Sequence, residues 1–263
     1  MSVDSKQCAL ASRAKKRCPA RSAGRYPHAV SAPLTVFGHA GAQAHAPANG
    51  LNACLLALEA TGATEVDIQP LNDGTLVLHH DDHAEGKPLT GMTTRDFLEA
   101  VPHGIRLTDL LAAAARFDAP TLNVEIKPAI SWADARLRAR RYLADIQHAP
   151  AHVTVFPSSF DPRVLLALRV LNPAHPRALL LTEEAPQYLD ERWMRPLVAP
   201  QAIHPDDRLA TQANLARWRA AGLQVNVWTI NDSARARELA SWGATGIITD
   251  DPAAIQAALS TPA

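Results

Sequence analysis

From Pro33 onward the chain alternates short apolar runs with longer amphipathic stretches. The runs Leu34–Phe37, Thr64–Gln69, Leu76–His80, Thr121–Lys127, His152–Phe156, Arg177–Leu181, Ala202–His204, Val225–Thr229 and Gly246–Thr249 read as strands. Many are Val, Ile and Leu runs, the texture of parallel strands buried on both faces, rather than clean alternations. Between them, Leu51–Ala60, Leu107–Phe117, Trp132–Ile146, Pro162–Leu171, Gln212–Ala221, Ser233–Trp242 and Pro252–Leu259 carry apolar residues at helical spacing. Asp161 and Asp251 each precede a proline, an N-cap followed by a residue whose missing N–H is harmless in the first turn. Gly62, Gly222 and Gly243 stand where helices should stop. One connection differs. Asn72-Asp73-Gly74 leaves no room for a crossover helix, and its Asp-Gly turn predicts a hairpin between Thr64–Gln69 and Leu76–His80. About eight β-then-α units over ~230 residues predict an α/β fold, a (β/α)8 TIM barrel with that short hairpin between the second and third strands. A doubly wound open sheet is the competing architecture, but no glycine-rich phosphate loop opens a helix.

Composition narrows the class. A chain of 263 residues that is 47% hydrophobic and 20% charged is not wholesale disordered. Cys8, Cys18 and Cys54 cannot make a disulfide framework, and their spacing is not a zinc pattern. No apolar run approaches the ~18 residues of a membrane span. A formal net charge of zero gives no global reason to expect a nucleic-acid partner. The zero hides an asymmetry: residues 1–32 hold Lys6, Arg13, Lys15, Lys16, Arg17, Arg21 and Arg25 against Asp4 alone. This head lacks the apolar stretch of a secretory signal, so a cytoplasmic location is expected. It reads as a basic, disordered N-terminal extension to a barrel domain spanning 33–263, with a transit peptide or an arm for an anionic surface as alternatives. Oligomeric state is not legible.

The chemistry lies where strands carry residues that packing would not choose. Side chains two apart on a strand face the same way. Glu65 and Asp67 therefore project together, with Val66 and Ile68 opposite, and Asn123, Glu125 and Lys127 share a face opposite Val124 and Ile126. A single Glu-x-Asp is most often just a polar face at a barrel end, and Glu125 with Lys127 alone could be a structural ion pair. The two sets together, both at the carboxyl ends of strands where barrel active sites lie, point to function. Three inward carboxylates form a hard, all-oxygen site for one divalent cation, Mg2+ or Ca2+, and suit zinc poorly. His39 ends the first strand, and His79 and His80 close the third, ahead of Asp81 and Asp82. Imidazole can take or give a proton near neutrality. Two histidines beside a divalent cation and a lysine suit cleavage of a phosphodiester.

These strings carry a family resemblance. Val36-Phe37-Gly38-His39-Ala40-Gly41, Ala46-Pro47-Ala48-Asn49 and Gly62-Ala63-Thr64-Glu65-Val66-Asp67 resemble the opening of the glycerophosphodiester phosphodiesterase family, with its His-Arg-Gly, Pro-Glu-Asn-Thr and Glu-x-Asp segments. Asn72-Asp73-Gly74-Thr75-Leu76-Val77-Leu78-His79-His80-Asp81, Leu122-Asn123-Val124-Glu125-Ile126-Lys127-Pro128, Val227-Trp228-Thr229-Ile230-Asn231 and Gly246-Ile247-Ile248-Thr249-Asp250-Asp251-Pro252 continue it in the family's order, from about residue 34 to 256. The resemblance implies a metal-dependent barrel that hydrolyses small glycerophosphodiesters to glycerol 3-phosphate and an alcohol. It implies that His39 and His80 are the catalytic histidines, His80 rather than His79 because it directly precedes Asp81. Glu65, Asp67 and Glu125 would be the metal ligands. Lys127 would contact phosphate and Trp228 the glycerol side of the substrate.

The chain departs from the family pattern at two places. The usual arginine after the first histidine is Ala40, and the Pro-Glu-Asn-Thr glutamate and threonine are Ala48 and Gly50. Loss of that arginine removes a charge-assisted phosphate contact worth about 1.5–3 kcal/mol. Three readings follow: a hydrolase of small glycerophosphodiesters, a phospholipase-D-like enzyme acting on lysolipids or sphingolipids, and a phosphodiester-binding protein without turnover. The mostly polar stretch His83–Thr93 favours small soluble substrates over lipids, and retention of both histidines and all three carboxylates favours catalysis over mere binding.

Overall fold

A computed structural model describes residues 34–184 and 191–261. The expected extension, 1–32, lies outside the described residues. Eight parallel strands close a barrel: β1 (Thr35–Gly38), β2 (Ala63–Pro70), β6 (Thr121–Ile126), β7 (Thr154–Ser159), β8 (Ala178–Leu181), β9 (Ala202–Pro205), β10 (Gln224–Val227) and β11 (Gly246–Thr249). They pair in chain order, and β1 meets both β11 and β2, so the sheet has no free edge in the barrel wall. The helices that follow the barrel strands are α1 (Leu51–Thr61), α3 (Leu107–Ala114), α4 (Trp132–Ile146), α5 (Pro162–Leu171), α6 (Glu191–Val198), α7 (Gln212–Ala220), α8 (Ser233–Ser241) and α9 (Pro252–Ser260). The expected (β/α)8 barrel is the observed fold.

Alternation within the strands sorts the two cores. Val66, Ile68, Val124, Ile126, Val225 and Ile247 point outward into the layer between barrel and helices. Phe37, Phe156 and Ile248 point inward with Ala63, Ala178 and Ala202, large against small, and Phe37 meets Phe156 edge-on at 6.2 Å. This plug fills the barrel interior as a packed core rather than a pore.

The hairpin is present. β3 (Leu76–Leu78) runs antiparallel to β2, with Ile68 opposite Leu78 and Pro70 opposite Leu76. The chain then makes an excursion of β4 (His83–Ala84), β5 (Lys87–Pro88) and α2 (Thr94–Ala100) before α3. The third strand is shorter than expected: it ends at Leu78, so His79 and His80 lie past it, on the barrel rim. His79 N still donates to Asp67 O at 3.1 Å, but its Nε2 turns to the His83 carbonyl at 3.0 Å and His80 turns its Nδ1 to Asp81. β7 also differs, beginning at Thr154 and running through Pro157 to Ser159 instead of ending at Phe156. Its parallel pairing with β6, from Thr121–Thr154 to Glu125–Ser158, outweighs the turn-like look of Pro157-Ser158-Ser159.

The caps act as expected. The Asp161 side chain accepts from Arg163 N and that of Asp251 from Ala254 N. Gly62 closes α1 at φ +72°, its N–H returning to Leu58 O at 2.9 Å. Among the described residues, no helix is long and apolar enough to cross a membrane.

Candidate active site

The carboxyl ends of the strands surround a cavity of about 220 Å³. All seven residues singled out from the sequence line it: His39, Glu65, Asp67, His80, Glu125, Lys127 and Trp228. The register places Glu65 beside Asn123 and Asp67 beside Glu125 on adjacent strands. Ligand oxygens of Glu65, Asp67 and Glu125 lie within 4.8 Å of one another, and all three residues are buried. Lys127 Nζ sits 2.6 Å from Asp67 Oδ1 and 2.8 Å from Glu125 Oε1.

Backbone turns after β1 hold this cluster. Gly38 and Gly41 are fixed by crowding: a Cβ on Gly38 would lie 2.5 Å from Ala57 Cβ, and one on Gly41 2.4 Å from the Ala53 backbone. This close approach of the loop to α1 aims Ala40 N at Glu65 Oε2, 3.0 Å away. Ala40 takes a left-handed conformation, φ +46°, as does Asn49 at φ +60°. Asn49 in turn brackets Asp67, its Nδ2 donating to Asp67 Oδ2 at 2.8 Å and its Oδ1 accepting from Asp67 N at 2.9 Å. Of the family's Pro-Glu-Asn-Thr segment this chain keeps the proline and the asparagine, and the asparagine is the residue that fixes a carboxylate.

Three buried carboxylates share one ammonium, and their ionisation shows the strain. Burial, then the charges of Asp67 and Glu125, push the Glu65 carboxyl well above its usual range. Glu125 is raised to about 7, burial first, with the Asp67 charge adding and Lys127 opposing. Asp67 is held below its ordinary value: burial opposes ionisation, but the Lys127 ammonium and the Asn49 amide outweigh it. Lys127 is raised against its own burial by Glu125 and Asp67. Glu125 Oε1, though near Lys127, lacks a well-directed hydrogen bond. Fully ionised, the cluster is two negative charges in excess of Lys127, and every donor is a carboxylate oxygen. These residues fit a hard divalent cation.

The two histidines are each paired through Nδ1. His39 Nδ1 lies 2.7 Å from Asp250 Oδ1, at the end of β11. Asp250 is anchored by Asn231 Nδ2 at 2.6 Å, and Gln43 Nε2 lies beside both partners. Although burial works against its charge, these hydrogen bonds hold Asp250 below the ordinary carboxylate range. His80 Nδ1 lies 2.7 Å from Asp81 Oδ1, far more exposed, and His80 lowers the Asp81 carboxyl. The His80 carbonyl accepts from Gln69 Nε2 at 3.3 Å, and Arg138 steadies Gln69. A ring that donates Nδ1–H to a carboxylate has Nε2 as its remaining nitrogen for proton exchange.

The opposite wall is apolar. Phe160, Leu180, Trp228 and Ile248 face the carboxylates, Phe160 meets Trp228 edge-on at 5.6 Å, and Trp228 Nε1 donates to His204 O at 2.8 Å. Sequence reasoning gave no site role to Asp250, Gln43 or Phe160. Asp250 lay inside a quoted motif, but its meeting with His39 depends on closure of the barrel between β11 and β1.

A barrel whose mouth joins a carboxylate cation site to two carboxylate-paired histidines defines an enzyme class that cleaves phosphate esters. The glycerophosphoryl diester phosphodiesterase family model matches residues 39–254, and the chain belongs to that family. It is a phosphoric diester hydrolase. Its fold is similar to that of a phosphodiesterase from Oleispira antarctica solved with its product sn-glycerol 3-phosphate, at TM-score 0.76 and 22% identity, covering 87% of this chain and 98% of that one. A chain from Silicibacter pomeroyi assigned as a glycerophosphoryl diester phosphodiesterase matches at TM-score 0.75 and 25% identity, covering 90% and 95%. The glycerophosphodiester phosphodiesterase of Thermotoga maritima matches at TM-score 0.70 and 22% identity, covering 85% and 97%. No curated protein sequence matches the chain.

Proposed function

We propose that this protein hydrolyses small glycerophosphodiesters to sn-glycerol 3-phosphate and an alcohol, with Glu65, Asp67 and Glu125 holding one Mg2+ or Ca2+. The observation that carries the reading is the meeting, in one cavity, of three buried carboxylates with two histidines whose Nδ1 atoms are both committed to carboxylates. When bound, the cation supplies positive charge toward the phosphoryl oxygens. One histidine takes the proton of the attacking hydroxyl at Nε2, and the other gives its Nε2 proton to the departing alkoxide. If a glycerol hydroxyl attacks, the product is a cyclic phosphate, and the same pair with roles exchanged admits water to open it. Lys127 adds a second positive charge for the phosphate, and Trp228 lies along the carbon skeleton of the glycerol.

The test is release of glycerol 3-phosphate from sn-glycero-3-phosphocholine and sn-glycero-3-phosphoethanolamine, with and without EDTA. Turnover is expected to disappear with EDTA and return with Mg2+ or Ca2+, and the better ion identifies the cation. His39→Ala and His80→Ala are each expected to lose about 10²–10⁴-fold in kcat with folding retained. Undiminished turnover in both variants rules out the proton-transfer roles.

A second reading, phospholipase-D-like action on lysolipids, is favoured by one feature of the rim. Past Lys127, the loop from β6 into α4 exposes Ile130 (88%) and Trp132 (62%), apolar groups suited to a lipid surface. The polar hairpin of β4 and β5 is the opposing observation. Choline release from lysophosphatidylcholine exceeding that from glycerophosphocholine decides for the lipid substrate.

A further inference from the structure

We propose that the outer face of α4, with the loop that leads into it, docks the barrel on an anionic lipid surface beside the mouth of the cavity. Among the described residues three arginines make no hydrogen bond or ion pair, and all three, Arg136, Arg140 and Arg141, belong to α4. Every other described arginine has a partner, as Arg106 has Asp109, Arg163 has Asp161 and Arg235 has Asp207. Trp132, Arg136, Leu137 and Arg140 are exposed and fall within about 140° of arc around the helix, so cations and apolar groups share one face. Ile130, the most exposed large apolar residue among those described, extends that face to the rim, just past the cavity-lining Lys127.

This face is firmly held and has no countercharge of its own. Ile130 N donates to Asp134 Oδ2 at 3.1 Å and Ala129 N to Asp161 Oδ2 at 2.9 Å, so the loop backbone is pinned on both sides while the Ile130 side chain stays in solvent. Asp134, the only acidic residue between Trp132 and Tyr142, is committed to that loop and to Arg138, 2.9 Å away. Of the flanking helices, α5 has no acidic residue, and the single carboxylate of α3, Asp109, is held by Arg106. A dissolved anion would answer the arginines but leave Ile130, Trp132 and Leu137 in water. An apolar protein surface would answer those three but leave the arginines without countercharge. Anionic headgroups over hydrocarbon answer both, with the indole at headgroup level. The docking goes beyond the hydrolase reading and is separate from turnover.

The experiment mixes the full chain with phosphatidylcholine vesicles that contain or lack phosphatidylglycerol, and follows co-sedimentation and the quenching of tryptophan fluorescence by brominated acyl chains. Residues 1–32 are basic as well, so every variant is compared with the parent full chain. The parent is expected to sediment with the anionic vesicles, much less with the neutral ones, and to be quenched. Combining Arg136→Gln, Arg140→Gln and Arg141→Gln is expected to weaken partitioning by about 10²-fold, about fivefold for each arginine. Ile130→Ser is expected to cost about tenfold. Trp132→Phe is expected to keep partitioning within about threefold while the quenching disappears. The thermal unfolding midpoint should not move in any of them, because these side chains stand in solvent. A triple variant that partitions like the parent assigns the binding to residues 1–32 and overturns the proposal. Quenching that survives Trp132→Phe, or a parent that binds neither vesicle, does the same. A parent that forms a dimer dissociated by Ile130→Ser gives the face to a second copy and overturns the lipid assignment. None of these readouts involves turnover, so their failure leaves the hydrolase reading standing.

Discussion

His39 and His80 make the same contact, Nδ1 to a carboxylate oxygen at 2.7 Å, in opposite settings. The partner of His39 comes from the far end of the chain and is itself anchored by Asn231, and both members are about 30% exposed. The partner of His80 is the next residue, and the pair is 67% and 74% exposed. Equal distances do not mean equal worth. An exposed pair is screened by water and salt and contributes under about 1 kcal/mol. A partly enclosed pair whose carboxylate cannot swing away fixes both the tautomer and the direction of the ring. His39 is held by architecture, His80 by its own loop.

The largest expected effect that separates the two is Asp250→Asn, which keeps the shape but removes the negative charge beside Nδ1 and replaces one of two acceptor oxygens with an NH2 donor. We expect kcat to fall by about 10²-fold with KM little changed, and the pH profile of kcat to shift. Asp81→Asn should cost about threefold or less, and that small effect should shrink in 1 M salt. Equal losses in the two variants would break the comparison.

A third class of histidine sharpens it at smaller magnitude. His204 is buried and His175 half-buried, and both are kept neutral. His175 is lowered to about 4 by burial and then the Arg177 charge, and His204 to about 3 by burial. The unfolded chain takes up these protons near pH 6.5 and the folded chain resists them until about pH 4. Their stabilisation is thus full above pH 6.5 and declines as pH falls toward 4. We expect the thermal midpoint to drop by a few degrees over that window, and by less in His175→Gln, where Tyr142 can still bond the replacement. A midpoint independent of pH between 6.5 and 4 would contradict this.

Much of the site was legible because strands have a period of two. Glu65 with Asp67 and Asn123 with Glu125 are set inside the barrel by their spacing alone, and Asp73-Gly74 marks the hairpin. What escaped depended on closure or on weak local signals. The pairing of His39 with Asp250 spans 211 positions and exists only because β11 lies beside β1. Ser158 and Ser159 look like turn residues, yet they end a central strand because β6 offers them a ladder. α6 contains Pro196, which disguises a helix, and α2 is short, marked only by the Thr93–Asp96 capping box.

The detour between β2 and α3 has a consequence for how such an enzyme diversifies. β3 borders β2 only above the point where Gly38 of β1 meets Thr64, so the whole arm bearing His80 hangs outside the closed wall. An insertion near Glu85–Gly86, in the turn between β4 and β5, would lengthen that arm without disturbing a single barrel rung. Natural variation and loop grafting can therefore alter the arm that carries His80 while the neighbouring His39, anchored through Asp250, keeps its alignment.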